Sequence, residues 1–110
     1  MLQANDVLVV VPAFNEAASI GQVLDGIQSH GFRVLVIDDG STDETSVVAH
    51  QKNAIVLSLP LNVGVGGALR CGFRYAVENG FSAIIQCDAD GQHLPSHLDD
   101  LVQATNRTDA

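Results

Sequence analysis

The sequence predicts an α/β domain: an open parallel sheet of four strands in the order 3-2-1-4, with helices on both faces. Three observations predict it. Four short aliphatic runs recur along the chain, at residues 7–11, 34–37, 55–59 and 83–87. The segments between them place apolar residues at helical rather than alternating spacing. Composition agrees: 46% of the 110 residues are hydrophobic but only 5% aromatic, so the core must be built of Val, Leu, Ile and Ala, the residues of buried parallel strands and the helices over them. Strands that alternate with helices pair in parallel, and right-handed crossovers lay the helices on the two faces. A chain of this length makes one domain, residues 1–110.

The first run, 7–11, reads as a fully buried strand. Ile20, Val23, Leu24 and Ile27 follow at i, i+3, i+4, i+7, which gives a helix one apolar stripe, and Gly31 is its stop. After the strand at 34–37, Ser41 and Glu44 have the spacing of a capping box, which predicts a helix starting there and burying Val47 and Val48. The strand at 55–59 leads to a third helix from Gly66 or Gly67 to Glu78. Its inward residues are expected to be Leu69, Phe73, Ala76 and Val77, with Asn79 and Gly80 as a left-handed end. After the strand at 83–87, a fourth helix is expected from Pro95 or Ser96, burying Leu98, Leu101 and Val102. No low-complexity linker divides the chain, and the four units share nothing beyond strand-then-helix.

Thirteen acids against five bases give a formal charge of -8, which repels a phosphate backbone and excludes nucleic acid as a partner. Cys71 and Cys87 lie in helical and strand patterns and read as buried thiols of a reducing compartment. No run of about 18 apolar residues is present to cross a membrane, and residues 1–6 lack the basic start and apolar core of a signal peptide. These features predict a cytoplasmic location.

In an open parallel sheet the ligand lies beyond the carboxyl ends of the strands. Three of the four ends carry acids here: Glu16 after the first strand, Asp38 and Asp39 after the second, Asp88 and Asp90 after the fourth. Asp88 and Asp90 are two apart where strand becomes loop, so both carboxylates can turn to one side and share a hard cation such as Mg²⁺ or Mn²⁺. Such a cation would bridge the oxygens of a nucleotide diphosphate and offset the charge of its departure. A solvated turn rich in Asp and Gly explains the same residues equally well. Asp38 and Asp39 are adjacent, so their side chains leave in opposite directions. One can face the crevice and accept from a base N–H while the other braces the turn into the next helix.

Four motifs in order, PAFNE (12–16), DDGSTDET (38–45), NVGVGGALRCG (62–72) and DADGQH (88–93), resemble the family 2 glycosyltransferases of the GT-A fold, and among them the polyprenyl-phosphate and dolichol-phosphate sugar synthases, including mannose synthases. The resemblance covers nearly the whole chain. It implies a Rossmann-like donor domain in which Pro12, Phe14 and Glu16 line a nucleoside pocket and Ile37 and Asp39 contact the base. Asp88, Ala89 and Asp90 would meet ribose, diphosphate and metal, with Asp88 and Asp90 as the catalytic pair and Gln92 as a further metal ligand; His93 receives no role. Asn62, Gly64, Ala68 and Gly72 match the family's loop and helix as packing residues.

The resemblance also implies transfer of a hexose from GDP-mannose or a UDP-sugar, with inversion, to a polyprenyl or dolichyl phosphate or to a glycan hydroxyl. Family members continue through a further half that carries the acceptor groove. The expectation is therefore an incomplete, truncated domain that binds donor with Mg²⁺ or Mn²⁺ but turns over poorly. In the full-length protein it would sit peripherally at the cytoplasmic membrane face. Its fourth strand would be left as an open edge prone to self-association.

Two rival readings fail on detail. A dinucleotide fingerprint counted from Gly64 and Gly66 would need glycine where Leu69 stands, and residues 60–63 separate strand from glycines where an immediate turn is required. A receiver-type phosphoacceptor module needs an acid pair after the first strand and a lysine near the last. Here Pro12 follows the first strand, and Lys52 precedes the third. His30, His50 and His97 read as solvent-facing, and Arg70 and Arg74 as a solvated helix face.

Overall fold

The computed structural model describes residues 3–90. After a 3-10 turn at Ala4–Asp6 the elements are β1 (Val7–Ala13), α1 (Ala17–Ser29), β2 (Arg33–Asp38), α2 (Thr45–Gln51), β3 (Ile55–Ser58), α3 (Gly64–Glu78) and β4 (Ala83–Gln86). All pairings are parallel and the order is β3-β2-β1-β4, as predicted. The expected fourth helix, with Leu98, Leu101 and Val102, lies outside the described residues, as do Gln92 and His93.

β1 is the central strand and is buried on both faces, which is why residues 7–11 form an unbroken apolar run. Val7, Val9 and Val11 face α1 and α2, packing with Ile20, Val23, Leu24, Ile27 and Ala49. Leu8 and Val10 face α3 with Leu35, Ile37, Ala68 and Ala76. The α1 stripe is fully used: Ile20, Leu24 and Ile27 are each 0% exposed, and burial of each such side chain stabilises the fold by about 1.5–3 kcal/mol.

Two helices depart from the sequence reading. α2 does not begin with a capping box: Ser41 Oγ accepts instead from Asn15 N–H at 2.8 Å, and Asp43 Oδ1 takes Thr45 N–H at 2.9 Å, so the helix starts at Thr45. It buries Thr45 and Ala49, while Val47 is 49% exposed and Val48 is half-buried against the core. α3 begins at Gly64, two residues before the earlier of the predicted starts. Its inward face is Ala68, Gly72 and Ala76 at i, i+4, i+8, so Phe73 and Val77 turn outward at 55% and 78% exposure.

The reason is steric. A Cβ on Gly72 would stand 2.7 Å from Val10 Cγ1, so the helix rides directly on β1 through its smallest residues. Larger side chains cannot occupy that seam. Phe73 and Val77 instead flank an open cavity of about 240 Å³ beside Phe81 and, on β4, Ala83 and Ile84.

Candidate functional site

The carboxyl ends of β1, β2 and β4 converge because β1 lies between the other two. Register places Pro12 beside Ile37 and Ala13 beside Asp38, and Cys87 N–H donates to Val10 O at 3.0 Å, which draws the start of the Asp-Ala-Asp turn to the same rim. Pro12 is half-buried, Phe14 46% exposed, Glu16 half-buried, Ile37 fully buried and Ala89 4% exposed. Asp88 is half-buried and Asp90 exposed, flanking that buried alanine. The structure therefore brings Pro12, Phe14, Glu16, Ile37, Asp39, Asp88, Ala89 and Asp90 to one rim. Gln92 lies outside the described residues.

The adjacent aspartates divide as their alternation requires. Asp38, 5% exposed, braces the turn into α2: Oδ1 accepts Ser41 N–H at 3.0 Å and Oδ2 accepts from the Ser46 hydroxyl. Asp39, also 5% exposed, turns the other way and accepts Val63 N–H and Gly64 N–H, one on each oxygen, both at 2.8 Å. It thereby satisfies donors at the start of α3, where a negative charge is favoured. Each of its oxygens retains a lone pair for a further donor such as a base N–H.

Gly40 permits this wiring. Its φ is +77°, and a Cβ there would lie 2.7 Å from Asn62 N, so the loop after β2 presses against the loop before α3 with no room for a side chain.

A residue that the sequence reading passed over organises the rest. Asn15 adopts φ +54°, a left-handed conformation that asparagine tolerates. Its Oδ1 accepts Thr42 N–H at 2.8 Å, Asp43 N–H at 3.3 Å and the Thr42 hydroxyl at 3.3 Å. Glu16 N–H donates to Thr45 Oγ1 at 3.0 Å, and Ala17 N–H to Asp43 Oδ2 at 3.2 Å. The loops after β1 and β2 are thus one hydrogen-bonded unit. The Thr45 hydroxyl, then the Thr45 and Ala17 amides, hold the Asp43 carboxyl below its ordinary value of 3.8 despite some desolvation.

Ser19 joins the third loop to this unit, with Oγ 2.7 Å from Ala89 O and 3.0 Å from Glu16 Oε2. Burial pushes the Cys87 thiol up, and the neighbouring Asp88 charge adds to the shift, so the buried-thiol reading of Cys87 holds. Among the described residues no buried side-chain nitrogen or oxygen lacks a hydrogen-bond partner, so no buried group beneath the rim is left orphaned.

Asp88 and Asp90 offer hard carboxylate oxygens of the kind Mg²⁺ or Mn²⁺ takes. Among the described residues no three His, Cys, Asp or Glu side chains come together as a metal cluster, so the two carboxylates would need ligand oxygens to complete a cation's shell. Lys52, on which a receiver-type reading would depend, is committed to an ion pair with Asp25 at 2.9 Å.

Comparison with known proteins agrees with the geometry. The family model for glycosyl transferase family 2 matches residues 8–110. An undecaprenyl-phosphate mannosyltransferase from Micrococcus luteus is 34% identical over 112 residues, 94% of this chain and 45% of that protein. A UDP-N-acetylglucosamine–dolichyl-phosphate N-acetylglucosaminyltransferase from Methanococcus voltae is 30% identical, over 88% of this chain and 46% of that one. Among solved structures, glucosyl-3-phosphoglycerate synthase from Mycobacterium tuberculosis, in complex with Mn²⁺, UDP and glucosyl-3-phosphoglycerate, superposes with a TM-score of 0.59 at 30% identity, covering 76% of this chain and 33% of that chain. The chain spans less than half the length of the curated relatives it matches. With the loops after β1, β2 and β4 on one rim of a 3-2-1-4 sheet, and a family match over residues 8–110, the chain belongs to glycosyl transferase family 2.

Proposed function

We propose that this chain is the nucleotide-sugar-binding part of a metal-dependent, inverting glycosyltransferase. The donor is GDP-mannose or a UDP-sugar, and the acceptor of the whole protein is a polyprenyl or dolichyl phosphate. The observation that carries the reading is the joining of the loops after β1, β2 and β4 by Asn15 and Ser19 into one rim, with carboxylates at three points. The names of the relatives support the lipid-phosphate acceptor, and the UDP and Mn²⁺ of the structural neighbour support the donor and cation.

In this reading Pro12, Phe14 and Glu16 bind the nucleoside, with Phe14 offering its exposed ring and Ile37 closing the floor. Asp39 accepts a base N–H while it holds the start of α3. Asp88, Ala89 and Asp90 position ribose and diphosphate, and Asp88, Asp90 and Gln92 hold the cation. When bound, that cation neutralises charge developing on the leaving nucleoside diphosphate. A lipid phosphate is already anionic at neutral pH, so the attacking oxygen needs no dedicated base. Among the described residues no helix is long and apolar enough to cross a membrane, which accords with a peripheral association.

The test is calorimetric titration of GDP, UDP and NAD into the chain with Mn²⁺ present. Saturable binding of GDP or UDP, and none of NAD, is the expected result and identifies the base. Saturation by NAD alone would sink the reading.

A further inference from the structure

We propose that Ser19 is a positioning residue that couples occupation of the nucleoside pocket to cation binding at the Asp88–Asp90 turn. The inference rests on the donor-site reading above and adds a link between its two halves. Ser19 stands in the first turn of α1, so its main chain is anchored by the helix. Its hydroxyl lies 2.7 Å from the carbonyl oxygen of Ala89 and 3.0 Å from Glu16 Oε2.

A serine hydroxyl carries one proton, and these two neighbours, like the more distant Glu16 carbonyl at 3.5 Å, are acceptors. The hydroxyl can therefore serve only one of them at a time. A carboxylate is the stronger acceptor, so Glu16 competes with Ala89 for that proton while it has no other donor. A ribose hydroxyl or base N–H that donates to Glu16 satisfies the carboxylate and releases the Ser19 proton to Ala89. Ala89 is 4% exposed, and its carbonyl belongs to the peptide that joins Ala89 to Asp90, one of the two between the aspartates. Fixing that peptide fixes the spacing of the carboxylates on either side.

Nucleoside binding therefore preorganises the turn for the cation, and the cation favours the nucleoside by the same factor. One hydrogen bond gained or lost corresponds to about a 2- to 10-fold change in an equilibrium constant.

The experiment uses guanosine and uridine rather than the diphosphates, so that no phosphate can touch the metal directly. Mn²⁺ affinity is measured by electron paramagnetic resonance with and without saturating nucleoside, for the wild-type chain, Ser19→Ala and Ser19→Thr. The expected result is that nucleoside tightens Mn²⁺ binding by about 2- to 10-fold in the wild type. Ser19→Ala should lose that enhancement, its Mn²⁺ affinity being the same with and without nucleoside, and Ser19→Thr, which keeps a hydroxyl, should restore it.

Enhancement that persists in Ser19→Ala, or that is lost in Ser19→Thr when circular dichroism shows both variants folded, overturns the coupling while the donor-site reading stands. A wild type that binds neither Mn²⁺ nor GDP or UDP sinks both.

Discussion

Asn15 shows how one side chain can organise a site. Its carboxamide oxygen takes three donors from Thr42 and Asp43, and its backbone occupies a conformation that alanine resists. Asn15→Ala should cost about 1–3 kcal/mol, read as a lower urea midpoint with unchanged slope, and should weaken nucleotide binding because Phe14 and Glu16 flank it. Asp43 adds a pH dependence. Its carboxyl titrates below 3.8 in the fold, so its contribution is fully present above the unfolded value and is lost as pH falls through the lower folded one. Amide resonances of Thr45 and Ala17, followed by NMR through an acid titration, should shift with a midpoint below 3.8. The opposite directions of Asp38 and Asp39, and the bracing of the turn by one of them, were legible in the sequence, because adjacency on an extended chain sends the side chains apart. The role of Asn15 was not. The signal was an asparagine just after a strand, facing a Thr-Asp pair some 27 residues on, and only the sheet brings those together.

At the scale of elements, strands and α1 followed directly from hydrophobic period, since each buries a face that the sequence marks. The starts of α2 and α3 did not, because the donors and acceptors that set them belong to other loops: Asn15 takes Ser41 away from a capping box, and Asp39 satisfies amides ahead of the predicted start of α3. The inward face of α3 was read correctly at Ala76 and misread at Phe73 and Val77 for a related reason. Periodicity ranks Phe73 and Val77 as core, but close approach to β1 selects Ala68, Gly72 and Ala76. Gly72→Ala should therefore destabilise by about 1–3 kcal/mol although alanine is the better helix former, because its methyl would meet Val10. Leu24→Ala in the α1 stripe should cost about 2–5 kcal/mol by leaving a cavity. Chemical denaturation measures both.

At the scale of the molecule, the 3-2-1-4 order puts the acids of three loops on one rim, and this was legible because strand alternation and crossover handedness leave few topologies open. β4 is an edge of the described sheet, carries no charged residue, and lies beside exposed Phe73 and Val77. We propose that the 110-residue chain self-associates through this edge. Sedimentation should show a concentration-dependent rise in mass that a lysine at Ile84 suppresses, and a clean monomer at high concentration would count against it.

The central claim is that the rim binds a nucleoside diphosphate through a cation held by the Asp88–Asp90 turn. Its most direct test is GDP and UDP titration with and without Mn²⁺, repeated for Asp90→Ala. The account predicts Mn²⁺-dependent binding that Asp90→Ala weakens by at least about tenfold, the loss of a charged ligand to the metal. Equal binding with and without Mn²⁺, or an Asp90→Ala chain that binds like the wild type, would contradict it.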